Sequence, residues 1–255
     1  MRTWDADTYH RVAAAMDEMA LAVLQRLPLA GDETVLDAGC GTGRITAALV
    51  DRLPRGRVIG VDASPDMVRR AREVLGERAE VRLADLTGLT LEAPVDAVFS
   101  TATFHWILDH DRLFACLHAA LRPGGRLVAQ CGGAGNIAAQ IAAADAVAAR
   151  PGYAPAFAGW RRAHRFAGAE ETAAKLADAG FTDVRCWLAP NPVVPEEPLA
   201  YLATVTLGAH LDRLPAGRRA AFVEEVAALL PEPITVDYVR LNIDAARPAP
   251  SSSGR

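Results

Sequence analysis

VLDAGCGTGR, residues 35–44, is the stretch that decides the fold. Its first half is apolar and β-branched, the composition of a strand buried on both faces. Gly39, Gly41 and Gly43 follow at alternate positions, and Thr42–Leu53 then reads as a helix stopped by Pro54. A strand that runs through a glycine-rich turn into a helix is the opening unit of a ligand-binding α/β fold. Glycine permits the sharp turn and lets a ligand approach the main chain. The helix start supplies N–H groups that have no partner within the helix.

Working outward, the same alternation repeats. RVIGVD (57–62) is a second strand, and Ser64 caps a helix over Pro65–Leu75 with Pro65 at its first position. EVRLAD (80–85) and VDAVFST (95–101) are further strands. A helix over Asp109–Leu121 stops before Arg122-Pro-Gly-Gly, and GRLVAQC (125–131) is the fifth strand. Upstream, Val12, Met16, Met19, Val23, Leu24 and Leu27 have helical spacing, ended by Pro28. After Cys131 the pattern breaks into an Ala-rich helix to about Ala149 and an irregular stretch over 150–168. It resumes with a helix over Glu170–Ala179, Gly180 as its C′ residue, and a strand over Thr182–Leu188. Residues 189–198 hold four prolines and form a loop. Short helices over 197–211 and 215–230 and a last strand over Ile234–Ile243 complete the chain. The expectation is an α/β protein: a doubly wound, mostly parallel, seven-stranded Rossmann-like sheet with helices on both faces and a helical cap insertion. Its parts are a lid helix (1–30), a cofactor-binding core (31–132), a cap insertion (133–169), a core helix and strand (170–188), a helical cap (189–232), a last core strand (233–244) and a disordered tail (245–255).

Composition excludes several classes. The 255 residues are 51% hydrophobic, enough for one large domain with an insertion. The net charge of −4 argues against nucleic-acid or membrane-surface binding, which needs a basic face. Cys40, Cys116, Cys131 and Cys186 are widely spaced without a C-x-x-C pair, so neither a disulfide framework nor a metal site is expected. The polar, acidic N-terminus shows no signal peptide. The most apolar stretch, 137–149, contains Gln140 and Asp145 and is too short to span a bilayer. These features predict a soluble cytoplasmic protein. They do not give its oligomeric state.

The acids around the glycine loop narrow the ligand. A dinucleotide loop wants G-x-G-x-x-G, and from Gly39 the sixth position is Arg44. Asp37, two residues before Gly39, repels a pyrophosphate but suits an adenosyl ligand that carries an ammonium group. The bland alternative is a plain tight turn between strand and helix. Asp62 ends the second strand, where an acid meets ribose hydroxyls; otherwise it caps the next helix, a role for which Ser64 is better placed. Asp85 ends the third strand and can accept from an adenine amino group, with Leu86 facing the ring; otherwise it caps a loop.

VLDAGCGTGRIT, VIGVDASPDMV, Ala84-Asp85-Leu86, DAVFSTATFHWI and LRPGGRLV together resemble the successive motifs of class I S-adenosylmethionine (SAM) dependent methyltransferases, over about residues 34–130. Trp4-x-x-x-x-Tyr9, FHWILDH, EETAAKLADAGF and DYVRLNI are similar to the trans-aconitate methyltransferase branch. The chain departs from that branch in its Ala-rich insertion and at the FHW step. The resemblance implies SAM as cofactor, with Asp37, Gly39, Gly41, Asp62, Ala63, Met67, Asp85, Leu86 and Thr101 lining its site. It implies methyl transfer to a small molecule, onto a carboxylate or hydroxyl oxygen. His105 is then the general-base candidate, unless it orients a group or caps a helix. Trp106 either walls the sulfonium or packs under the next helix, the preferred reading. Trp4 and Tyr9 either close over the cofactor or anchor their helix. In WRRAHR, Trp160 and Arg161 either clamp an anionic substrate or belong to a solvated basic loop. Transfer to carbon or nitrogen, SAM binding without turnover, and a nicotinamide dehydrogenase (disfavoured by Arg44) remain the other readings.

Overall fold

The computed structural model describes residues 14–250. Trp4, Tyr9, the start of the lid helix and residues 251–255 lie outside the described residues. The chain forms two units. Of the described residues, the core unit takes 17–134, 165–189 and 241–250, and the helical unit 14–16, 135–164 and 190–240.

In chain order the elements are α1 (Ala14–Arg26), β1 (Thr34–Ala38), α2 (Arg44–Asp51), β2 (Arg57–Asp62), α3 (Pro65–Leu75), β3 (Glu80–Leu83), β4 (Val95–Thr101), α4 (His110–Ala120), β5 (Leu121–Gly132), α5 (Ala138–Ala148), α6 (Ala154–Phe157), α7 (Ala169–Asp178), β6 (Thr182–Pro190), α8 (Pro198–Tyr201), α9 (Gly208–Leu211), α10 (Ala216–Ala227) and β7 (Val239–Ala246). The seven strands make one sheet in the order β3-β2-β1-β4-β5-β7-β6. It is mostly parallel, with one antiparallel hairpin. Asp37 pairs with Gly60 of β2 on one side and Phe99 of β4 on the other. The strand order therefore reverses at β1, and doubly wound sheets open a ligand crevice at such a reversal, beyond the carboxyl ends of the strands. The glycine turn leaves β1 there.

Burial explains the strand sequences. Val35, Leu36 and Ala38 are fully buried, as are Val61, Val98 and Phe99, because helices cover both faces. Leu36, Ile59, Phe114, Leu117, Leu127 and Ile243 belong to one cluster, and Val23, Leu27, Val35, Leu49 and Phe99 to another. The helical unit has its own core, in which Val147, Tyr153, Leu202, Leu211, Phe222 and Val226 pack together.

Several boundaries differ from the sequence reading: the fifth strand begins at Leu121 rather than Gly125, and β6 runs to Pro190, into the stretch expected to be a loop. The last strand is Val239–Ala246, not 234–243. Ile234, Val236 and Tyr238 are buried in alternation, but their stretch makes only an isolated bridge, Val193 to Val236. Period-two burial thus extends beyond the ladder. Next, residues expected in the disordered tail are held. Ala245 is buried, and the Arg247 backbone N–H donates to Gly125 O at 2.9 Å. Finally, the expected helix over 197–211 is α8, a π-helical turn over Leu202–Thr206, and α9.

Candidate cofactor and active site

The glycine turn is held from beneath by two carboxylates. Asp37, 3% exposed, accepts a hydrogen bond from Thr46 Oγ1 at 2.7 Å, which ties the end of β1 to the first turn of α2. Burial pushes its carboxyl up to about 7; the Thr46 bond opposes that shift and the nearby Asp62 adds to it. Asp62 uses both oxygens. Oδ2 accepts from Gly41 N at 3.0 Å and Oδ1 from Ser64 N at 2.8 Å. Ser64 itself caps α3, accepting from Met67 N at 3.5 Å, so the capping alternative for Asp62 falls to Ser64.

Two glycines of the turn are required for different reasons. At Gly39 (φ +90°) an added Cβ would land on the Thr103 side chain. At Gly41 (φ +54°) a Cβ would meet nothing within 4 Å. The main chain at Gly41 therefore borders open space at the ligand edge of the sheet, a cradle that a side chain would fill.

Asp85 is exposed. Its Oδ1 accepts from both Thr87 N and Thr87 Oγ1, each at 2.8 Å, so it does cap the following turn. Both bonds fall on one oxygen, which leaves acceptor capacity on the other. Leu86 is 4% exposed and packs in the main core cluster, so its side chain is committed to the interior. Ala63 is exposed, and Met67 and Thr101 are half-buried.

The turn after β4 completes the edge. Ala102 adopts a left-handed conformation (φ 53°) that a non-glycine residue enters at a cost, and its N–H donates to Gln130 O at 2.8 Å. Thr103 Oγ1 lies 2.9 Å from Thr101 O and 3.3 Å from Gly39 O, binding this turn to the glycine turn. His105 is 8% exposed, and its Nδ1 accepts from Gly132 N–H at 3.3 Å. Its ring lies 4.9 Å from the Trp106 ring and 5.7 Å from Phe166. The cap of α4 is Asp109, which accepts from Arg112 N at 3.0 Å, so His105 is not a helix cap. Trp106 is 40% exposed, against the expectation that it packs away under α4.

The structure brings Asp37, Gly39, Gly41, Asp62, Asp85, Thr101 and His105 to one edge of the core unit. Trp160 and Arg161 belong to the helical unit, where Trp160 lies 4.8 Å from the His210 ring, and Arg161 is exposed. Thr46, Thr103 and Gly132 were missed by sequence reasoning. Thr46 had one signal, a hydroxyl on the apolar face of α2. Among the described residues no group of three or more His, Cys, Asp or Glu could hold a metal ion, and no helix is long and apolar enough to cross a membrane.

An open cradle with carboxylate acceptors on either side thus lies at the strand reversal of a doubly wound sheet, where such folds bind ligands. Residues 35–125 match the family model described as a methyltransferase domain. The chain is 44% identical over 130 residues to the trans-aconitate 2-methyltransferase of Azoarcus sp. (strain BH72), and 38% identical over 130 residues to that of Escherichia coli (strain 55989 / EAEC). Each match covers 51% of this chain and 51% of the relative, so the matched segment spans about half the length of these curated relatives. Two solved structures share the fold. The YcgJ protein of Bacillus subtilis has a TM-score of 0.66 at 15% identity, covering 92% of this chain and 100% of that one. A Haemonchus contortus phosphoethanolamine N-methyltransferase 2, in complex with phosphomonomethylethanolamine and S-adenosylhomocysteine, has a TM-score of 0.60 at 21% identity, covering 91% of this chain and 53% of that one. Residues 35–125 thus match a methyltransferase domain, and about half of the chain is similar to the trans-aconitate 2-methyltransferases.

Proposed function

We propose that this protein methylates a carboxylate oxygen of a small anionic acceptor. The observation that carries the reading is the 44% identity over 130 residues to a trans-aconitate 2-methyltransferase. The arrangement at His105 supports it. With Nδ1 accepting from Gly132 N–H, that lone pair is not available to remove a proton. A hydroxyl or amine acceptor generally needs such a base, whereas a carboxylate is already ionised at neutral pH.

The residues of the core unit divide the work. The open backbone at Gly41 admits the cofactor, and Asp62 and Asp85 accept from its ribose and adenine ends. Asp37 acts from within, through its hold on Thr46. Thr101 and Thr103 set the turn that carries His105 toward the same edge. The cofactor supplies an electrophilic methyl group on sulfur, so the protein's own contribution is binding and alignment. Alignment of this kind is worth roughly 7–11 kcal/mol in favourable cases. Incubation with isotopically labelled SAM and a panel of small carboxylic acids, trans-aconitate among them, tests the proposal. A base-labile methyl ester in the product is the expected result. Label transfer to none of the acids would remove the carboxylate reading.

A further inference from the structure

Alternation along β5, β7 and β6 sorts their side chains onto two faces. Leu127, Ala129, Leu241, Ile243 and Ala245 belong to the main core cluster, with Val184 and Cys186 packed against it. The residues between them face the side on which α1 packs. There Val128 joins the cluster of Val23 and Leu27, and Arg26, the last residue of α1, donates to Asn242 Oδ1 and to Asp244 Oδ1. Beyond α1 that face turns charged. Arg26, Arg126 of β5, Asp183 and Arg185 of β6, and Asp244 of β7 line a cleft of about 260 Å³. All five belong to the core unit. The cleft is not at the edge that carries the glycine turn. On β5 it reaches Val128, and Gly132 at the strand's end lies four residues on, about 13 Å of extended chain.

The charges in this cleft do not cancel. Asp244 is held by Arg26 at 3.1 Å. Elsewhere in the core unit arginines are spent on carboxylates or carbonyls, as Arg57 on Glu80, Arg122 on Asp96 and Arg72 on Val81 O. The Arg126 and Arg185 guanidiniums donate to neither among the described residues, and Arg26 Nε is buried without a hydrogen-bond partner. Buried donors are ordinarily satisfied, so that N–H is a vacancy for an oxygen. Three guanidiniums against two carboxylates leave an excess positive charge, on a chain whose net charge is −4. We propose that this cleft binds a small oxyanion, a phosphate or a dicarboxylate, held by Arg126 and Arg185 with Arg26 completing the set. A guanidinium donates in a planar fork that fits two oxygens of either group. The Trp187 ring lies 4.9 Å from the Arg26 guanidinium and 5.7 Å from that of Arg185. Those contacts restrain both side chains before a ligand arrives, so less freedom is lost on binding. The volume falls below the roughly 300–1,000 Å³ of pockets for drug-sized ligands, so the occupant is small. The site stands whether or not a carboxylate is the methyl acceptor.

Calorimetry on the full chain tests it, with inorganic phosphate and succinate as probes and chloride as the reference. Low ionic strength is used, because exposed guanidiniums are least screened there. Saturable one-to-one binding of phosphate, succinate or both is expected. Arg126→Gln and Arg185→Gln should each weaken it by about tenfold or more. Both side chains are exposed, so these variants should keep the wild-type Tm and SAM affinity when no probe is present, which separates a lost site from a lost fold. Asp183→Asn removes the carboxylate of the cleft that no guanidinium holds, and should tighten binding. Residue 183 is left-handed (φ 51°), a conformation Asn accepts, so that variant changes the charge and not the backbone. Binding of phosphate alone identifies a phosphoryl ligand and of succinate alone a dicarboxylate; either supports the site. Binding of neither overturns it. Binding equally tight in all three variants overturns it too, since the anion would then sit elsewhere on the chain.

Discussion

Both oxygens of Asp62 accept backbone N–H bonds, from Gly41 and from Ser64. The acid therefore shapes the turn, in addition to the ribose contact proposed for it. Hydrogen bonds to charged groups contribute about 1.5–3 kcal/mol each. Asp62→Ala is expected to lower SAM affinity by about 100-fold or more in calorimetry, and to speed amide exchange at Gly41. Asp62→Asn, which keeps one acceptor oxygen, should fall between. An unchanged affinity would take Asp62 out of the site. Asp37 calls for a different measurement. Its carboxyl is raised from 3.8 to about 7, mainly by burial, so the folded state holds that proton more tightly than the unfolded chain. The stability this contributes is full below about pH 4 and is lost as pH rises through 7. Its upper bound is about 4 kcal/mol at 1.36 kcal/mol per unit. Asn mimics the protonated acid. Denaturant melts of cofactor-free protein should therefore show wild type losing stability relative to Asp37→Asn between pH 4 and 8, and a constant difference would refute the raised value. These acids were legible because each ends a strand next to a recognisable turn. Thr103 was not, because it meets Gly39 across 64 residues of chain and no local pattern records that.

At the scale of elements, β1 to β4 were legible because each is a short apolar run between clear stops. β7 was misplaced because Ile234, Val236 and Tyr238 continue the buried alternation into a stretch without ladder partners. The π-helical turn after α8 likewise leaves no mark in apolar spacing. The end of β7 shows what secures an element in place. Arg247 Nη1 donates to the carbonyls of His118 (3.0 Å), Ala119 (3.4 Å) and Leu121 (2.5 Å). Those are carbonyls at the C-terminal end of α4, where acceptors lack partners in the helix and a positive charge is favoured. Arg247→Ala should cost about 1–2 kcal/mol, a fall of roughly 2–8 °C in Tm. Arg247→Lys keeps the charge but not the spread of donors, and should recover part of the loss. A Tm unchanged in Arg247→Ala would mean the strand end is held by its backbone bonds alone.

For the whole molecule, the sequence located two kinds of segment but not their edges. Residues 165–168 join the core unit through backbone pairings, Arg165 N to His105 O and Ala134 N to Ala167 O, while 233–240 belong to the helical unit. Such pairings are set by what the chain meets in space, and composition does not reveal them. The choice of ligand, by contrast, follows from charge that the sequence already displays. Asp37 and Asp62 flank the glycine turn, and Arg44, the cation at its far end, is paired with Asp17. A pyrophosphate placed there would face two carboxylates; a cofactor with an ammonium and a sulfonium would not. The two cofactor classes therefore predict opposite thermal shifts. SAM at 100 times its Kd should stabilise the protein by about 2.7 kcal/mol, which raises Tm by roughly 5–10 °C for a chain of this size. NAD at the same concentration should leave Tm where it was. If NAD produced the shift and SAM did not, the open backbone at Gly41 would have to be reassigned to a phosphate, against the carboxylates on either side of it.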